Sequence, residues 1–206
     1  MKLDQPVLTP EISWKKKIMI FLWIQWEHLF YRLFTIQPID KNQPFLNVRV
    51  RTYWGKPIQL LDGEIIKRGD RVLELHLNNE MLFRMGTNSR SSIHLAIQMI
   101  RTTEQLLPKT LGFILNHPKY EEIKGLYGIS MIHRGTKQFG FTVTDLPRGL
   151  FFFLTNIYLR LLLLVVHPQG KQRLQTKGEL LSPKIIAIST KEFMRRYPIE
   201  TELTVL

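Results

Sequence analysis

The spacing of apolar residues changes period several times along the chain, and those changes divide it into elements. Thr9-Pro10-Glu11 has the residues of a helix start, a cap, a proline suited to the first turn and an acid at the positive end. Ile18, Leu22, Trp26, Leu29 and Leu33 then recur every three or four positions, which predicts one apolar face on a helix reaching about Ile36, before Pro38. Period two takes over from Phe45 to Trp54 and from Arg71 to Asn79, predicting strands. In the first, Leu46, Val48 and Val50 share a face opposite Asn47, Arg49 and Arg51; in the second, Leu73, Leu75 and Leu77 oppose Glu74, His76 and Asn78. Asp62-Gly63 and Gly69-Asp70 mark turns around a short Ile65-Ile66 segment.

Ser89 to Leu107 reads as a helix with Ile93, Ile97, Ile100 and Leu107 as its core stripe and Pro108 beyond its end. Gly125 to His133 and Phe139 to Thr144 read as strands joined by the turn Arg134-Gly135-Thr136-Lys137. Leu150 to Val166 is a strongly apolar helix, stopped by His167-Pro168-Gln169-Gly170 and offered a cap by Asp145. Lys184 to Ile188 is a last strand, and Ser189 with Glu192 stands in capping-box spacing for a helix through Arg196. Runs of strands and helices in this order predict an α+β fold, a mostly antiparallel sheet packed by two long helices, with an N-terminal amphipathic helix. Residues 1–40 form that helical arm and 45–206 the domain.

Composition narrows the chemistry. The 206 residues include no cysteine, which excludes disulfides, thiolate nucleophiles and cysteine metal sites. A net charge of +12 favours an anionic partner, whether nucleic acid, anionic lipid or a phosphorylated molecule. The nucleic-acid option rests on charge alone, since no recognisable binding motif accompanies it. Lys15-Lys16-Lys17 ahead of Ile18 to Trp23 imitates a signal peptide, but Glu27, His28 and Arg32 follow at once, so no cleaved signal is expected. The N-terminal helix either packs on its own domain or another copy, or lies on a membrane surface. The 150–166 helix, roughly 27 Å long with its preceding glycine, is interrupted by Thr155, Asn156 and Arg160 and is expected to be a core helix, with interfacial membrane contact the second reading and a transmembrane span the third.

Four segments carry a family resemblance. GDRVLELHLNN (Gly69 to Asn79) resembles the hallmark run of YkoP-like domains, and FGFTVTDLP (Phe139 to Pro147), YLRLLLLVVHPQG (Tyr158 to Gly170) and ISTKEFMRRYP (Ile188 to Pro198) are similar to later parts of them. The resemblance implies a bacterial protein of unestablished activity, related to modules fused behind polysaccharide deacetylase domains, and hence an envelope-glycan setting. The deacetylase metal site does not carry over, because no two of the histidines at 28, 76, 94, 117, 133 and 167 stand four apart.

The candidate site is the polar face of the 71–79 strand. Glu74, His76 and Asn78 are spaced by about 6–7 Å, too far for contact along an ideal strand but suited to one wall of a pocket. His76 can move a proton near neutral pH, with Glu74 orienting it if the protein is an enzyme. Asp70, Asn78, Asn79, Arg90, Ser91 and Arg160 are candidate ligand-binding residues. Arg90 and Ser91 lie in the loop 86–92, which offers an anion the free N–H groups of a helix start; Arg160, if buried, needs an acidic partner, for which Glu74 is one candidate, or a bound anion. The expected partners are anionic lipid, a lipid-linked sugar or a glycan, and the expected place is the cytoplasm, at the inner face of the membrane. The alternative is an enzyme acting through His76 on a glycan or a phosphorylated envelope precursor.

Overall fold

The computed structural model describes residues 14–89, 92–118, 120–131, 133, 135–166 and 182–198. The fold is α+β. Helix α1 (Trp14–Leu33) is followed by strands β1 (Gln37–Pro38), β2 (Leu46–Thr52), β3 (Ile58–Gln59), β4 (Ile65–Ile66) and β5 (Arg71–Leu77). Helices α2 (Asn79–Asn88) and α3 (Ser92–Leu115) lead to β6 (Ile123–Ser130), β7 (Thr142–Asp145), α4 (Leu150–Val166), β8 (Lys184–Ser189) and α5 (Thr190–Arg196). The main sheet runs β1-β2-β5-β6-β8-β7, with β3 and β4 in a separate ribbon. Its pairs are antiparallel except β5 with β6, which run parallel and are joined by the α2–α3 crossover.

Alternation on β2 and β5 sets the two sides of the sheet. Val48 and Leu73 face a core with Leu107, Leu111 and Ile114 of α3 and Phe193 of α5. Val72 faces the other side with Tyr53, Ile66, Tyr127 and Ile185. Phe45, Leu46, Leu82 of α2 and Leu95, Met99 and Leu106 of α3 form a third cluster. The caps behave as their residues demand. The Ser189 hydroxyl accepts the Glu192 N–H at 2.9 Å, and the Asn78 side chain accepts the Met81 N–H, also at 2.9 Å.

Several elements depart from the sequence pattern. The second strand stops at Leu77, because Asn78 caps a helix the periodicity did not show; Gly86, Thr87 and Asn88 belong to that helix, not to a loop. Helix α3 continues past Pro108 to Leu115. It buries Leu95, Met99, Leu106, Leu107, Leu111 and Ile114, while Ile93 and Ile97 of the expected stripe are exposed. Burial of that long stripe outweighs the backbone bond and the space that a helix-interior proline removes. Strands β6 and β7 are not a hairpin, since β8 lies between them. Asp145 does not cap α4; it ends β7, where it pairs with Lys184.

The largest departures concern α1 and α4. Helix α1 ends at Leu33, and Thr35 takes a left-handed φ of 52° that turns the chain into β1, where Pro38 occupies an edge strand. The stripe Ile18, Leu22, Trp26, Leu29 and Leu33 faces outward, each residue 48–66% exposed. The docking face is instead Ile20, Trp23, Glu27, Phe30 and Tyr31. Helix α4 is not buried all round either: Leu150, Phe151, Phe153, Leu154, Ile157 and Leu161 are exposed. Among the described residues no helix is long and apolar enough to cross a membrane. The expected start of the first helix at residues 9–11 and the stop at 167–170 lie outside the described residues.

Candidate functional site

The parallel strands β5 and β6 share ladder pairs only as far as Glu74 with Tyr127, yet β5 runs on to Leu77 and β6 to Ser130. Past that point the strand ends border a cavity of about 320 Å³. Helices α1, α3 and α4 close it, through residues such as Phe30, Met99, Thr103, Tyr158, Leu162 and Leu163. The lining is mainly aliphatic and aromatic, with a few polar groups: Glu27, Tyr31, His76, Asn79, Thr103, Ser130, Thr136 and Tyr158. A volume of this size falls in the range of small-molecule sites, and a crevice at the carboxyl ends of parallel strands is where open α/β sheets place their ligands.

Two polar groups meet at the α1 side of this cavity. In the first, Glu74 is 8% exposed and accepts from the guanidinium groups of Arg49 and Arg51, its neighbours on β2. His76 Nε2 lies 3.3 Å from Glu74 Oε2. The expected spacing therefore holds for the strand but not for the side chains, which lean together over one residue pair. Burial alone would raise the Glu74 carboxyl; the adjoining His76 ring and the two guanidinium groups outweigh it and hold the pKa at about 2. The His76 Nε2 is buried against Glu74, while the residue lines the cavity. The Phe34 ring sits 4.9 Å from the Arg49 guanidinium, and Phe30 presents its ring to His76.

The second group centres on Glu27, which sequence patterning passed over as a helix polar residue. It is 5% exposed. Its carboxylate takes the Tyr31 hydroxyl and the Asn79 backbone N–H, the latter at 3.0 Å, so it satisfies a free donor at the start of α2. Asn47, opposite His76 in the ladder, donates to the Tyr31 oxygen at 3.3 Å. Burial raises the Glu27 carboxyl above its ordinary value despite the hydrogen bonds that act the other way. Tyr158 of α4 stacks on Trp23, with its hydroxyl pushed up to about 12, first by burial and then by the Glu27 charge. The signal for Glu27 was present in the sequence: it stands seven residues from Ile20 and four from Tyr31, on the face that docks.

The other candidates separate. Asn78 is occupied as the α2 cap, and Asn79 belongs to the helix, where its backbone meets Glu27 and its residue lines the cavity. Asp70 locks the turn before β5 by accepting the Lys67 N–H at 2.7 Å, at the opposite end of the strand from His76. Arg160 donates to Asn156 at 3.2 Å, four residues back on α4; the guanidinium partners of Glu74 are Arg49 and Arg51. Arg90 and Ser91 lie outside the described residues.

Comparison with known proteins places the chain in a family. The chain is 30% identical over 129 residues to "Uncharacterized protein YkoP" of Bacillus subtilis (strain 168), a stretch covering 62% of this chain and 70% of that one. No solved structure matches. The family model described as YkoP domain matches residues 16–197, from the first turn of α1 to the end of α5, so the arm that helps wall the cavity is within the match, and the chain belongs to the YkoP domain family.

Proposed function

We propose that the protein is an envelope-associated accessory domain that holds one amphiphilic molecule in the cavity between β5, β6, α1, α3 and α4. The observation that carries this reading is a mainly apolar cavity of about 320 Å³ with few polar lining groups, among them Glu27, Tyr31 and His76 on the α1 side. Glycan sites need polar groups spread over the surface they contact, to match the hydroxyls of a sugar. This lining instead suits a hydrocarbon chain, with an oxygen-bearing end group against Glu27, Tyr31 and His76. A lipid or the lipid part of a lipid-linked sugar has that chemistry. The envelope setting itself comes from the family resemblance.

The test is a titration with a fluorescent long-chain carboxylic acid. The wild-type protein binds it with saturable, blue-shifted emission. Ala96→Trp, which puts a large ring at an exposed lining position of α3, weakens binding roughly tenfold or more while thermal stability is kept. Equal binding by both proteins, or none by either, rules the reading out. A second reading draws on the 3.3 Å approach of His76 to Glu74: a carboxylate-oriented imidazole that acts on the bound molecule as general acid or base. It predicts turnover of a long-chain nitrophenyl ester that His76→Ala abolishes, and unchanged hydrolysis in that variant removes it.

A further inference from the structure

Helices α1 and α4 leave a continuous apolar surface on the outside of the molecule. They meet through the Trp23–Tyr158 stack, with ring centroids 5.2 Å apart, and an open groove of about 550 Å³ runs between them, lined by Ile18, Leu22, Trp26, Leu154, Ile157 and Leu161. Beyond the groove, Trp14, Leu29 and Leu33 on α1 and Leu150, Phe151 and Phe153 on α4 are also exposed. Isolated exposed apolar residues are ordinary; this many on two adjoining helices, beside the exposed polar residues Lys17, Gln25, His28 and Arg32 of α1, are not.

Charge says what covers this face. The one acid on α1, Glu27, is buried, and the α4 sequence has none. Basic residues border the patch. Exposed Lys17 lies in the first turn of α1, exposed Arg32 in its last, and exposed Arg148 just before α4, in a chain of net charge +12. Three of the four tryptophans belong to α1, and tryptophan favours the boundary between hydrocarbon and headgroups. Two copies joined through this face would bring their basic borders together, whereas anionic headgroups neutralise them. We propose that α1 and α4 together form a docking surface for an anionic lipid bilayer, lying in its interface without crossing it. This goes beyond the cavity reading and does not depend on it, although Trp26 and Tyr158 line both the outer groove and the cavity.

Flotation of the full chain with vesicles tests the proposal. Vesicles of phosphatidylcholine with phosphatidylglycerol carry the protein and blue-shift its tryptophan emission, vesicles of phosphatidylcholine alone do not, and added salt weakens the association. Leu29→Glu and Phe153→Glu, both outside the cavity lining, each reduce binding roughly tenfold with the circular dichroism spectrum unchanged. Failure to float with the anionic vesicles overturns the proposal, as does wild-type binding by both variants. A solution dimer that the same variants dissociate, without vesicle binding, would assign the face to a second copy of the chain. Because the fatty-acid titration reads the cavity in the absence of vesicles, either proposal can fail without the other.

Discussion

Glu74 and Glu27 are both buried carboxylates, yet their surroundings push them in opposite directions, and that difference has a measurable consequence. Glu74 is held at about 2 against an ordinary 4.5 by His76, Arg49 and Arg51. Its folded pKa is lowered, so it contributes stability above about pH 4.5 that is lost as the pH falls towards 2. Glu27 is raised by burial, so its contribution is full below its ordinary pKa and declines as the pH rises through its folded value. Urea unfolding followed against pH shows both limbs. Glu74→Gln shrinks the acid limb, to which the lowered carboxyls of Glu192, Asp40 and Asp145 also contribute, and lowers stability near neutral pH by roughly 3–5 kcal/mol, because two guanidinium groups are left without their carboxylate. An acid limb of unchanged size in Glu74→Gln contradicts this assignment. Glu74 and His76 were legible in the sequence as one polar face of a strand. Their direct contact was not, because strand spacing fixes where side chains start and not how far they lean.

At the scale of elements, periodicity located the longer strands and most helices, but not the two-residue strands β1 and β3 nor which helix face meets the sheet. The outward stripe of α1 is the more apolar one, while the docking face carries Glu27 and Tyr31, whose polar atoms satisfy each other and the start of α2. A pattern that scores hydrophobicity alone selects the wrong face for such a helix. Helix α2 was missed because Asn78-Asn79 continues a convincing strand alternation, and α3 was cut short because Pro108 is a helix stop in most settings. If Asn78 is a cap and not a ligand contact, Asn78→Ala costs about 1 kcal/mol, Asn78→Ser restores most of it, and neither alters binding of the fatty-acid probe. Loss of probe binding in Asn78→Ala at unchanged stability would return Asn78 to the site.

At the scale of the whole molecule, the α+β architecture follows from the order of periods along the chain, but the cavity follows from topology. Only the β5–β6 pair is parallel among the described strands, and its ladder ends before the strands do. Sequence spacing cannot show that β8 enters between β6 and β7, or that α1 returns from the far end of the chain to close the gap beside His76. The same arrangement explains why two helices with strongly apolar sequences are only half covered: each has one side on the cavity and one side on solvent. The cavity is proposed to take the hydrocarbon part of an amphiphile. Photolabelling with a long-chain alcohol carrying a diazirine in its chain tests this most directly, with the modified peptides mapped by mass spectrometry. Label is expected on the inner lining, around Met99 and Thr103 of α3 and Leu162 and Leu163 of α4, and is lost in Ala96→Trp. Label confined to the outer residues of α1 and α4, and unaffected by Ala96→Trp, would contradict it.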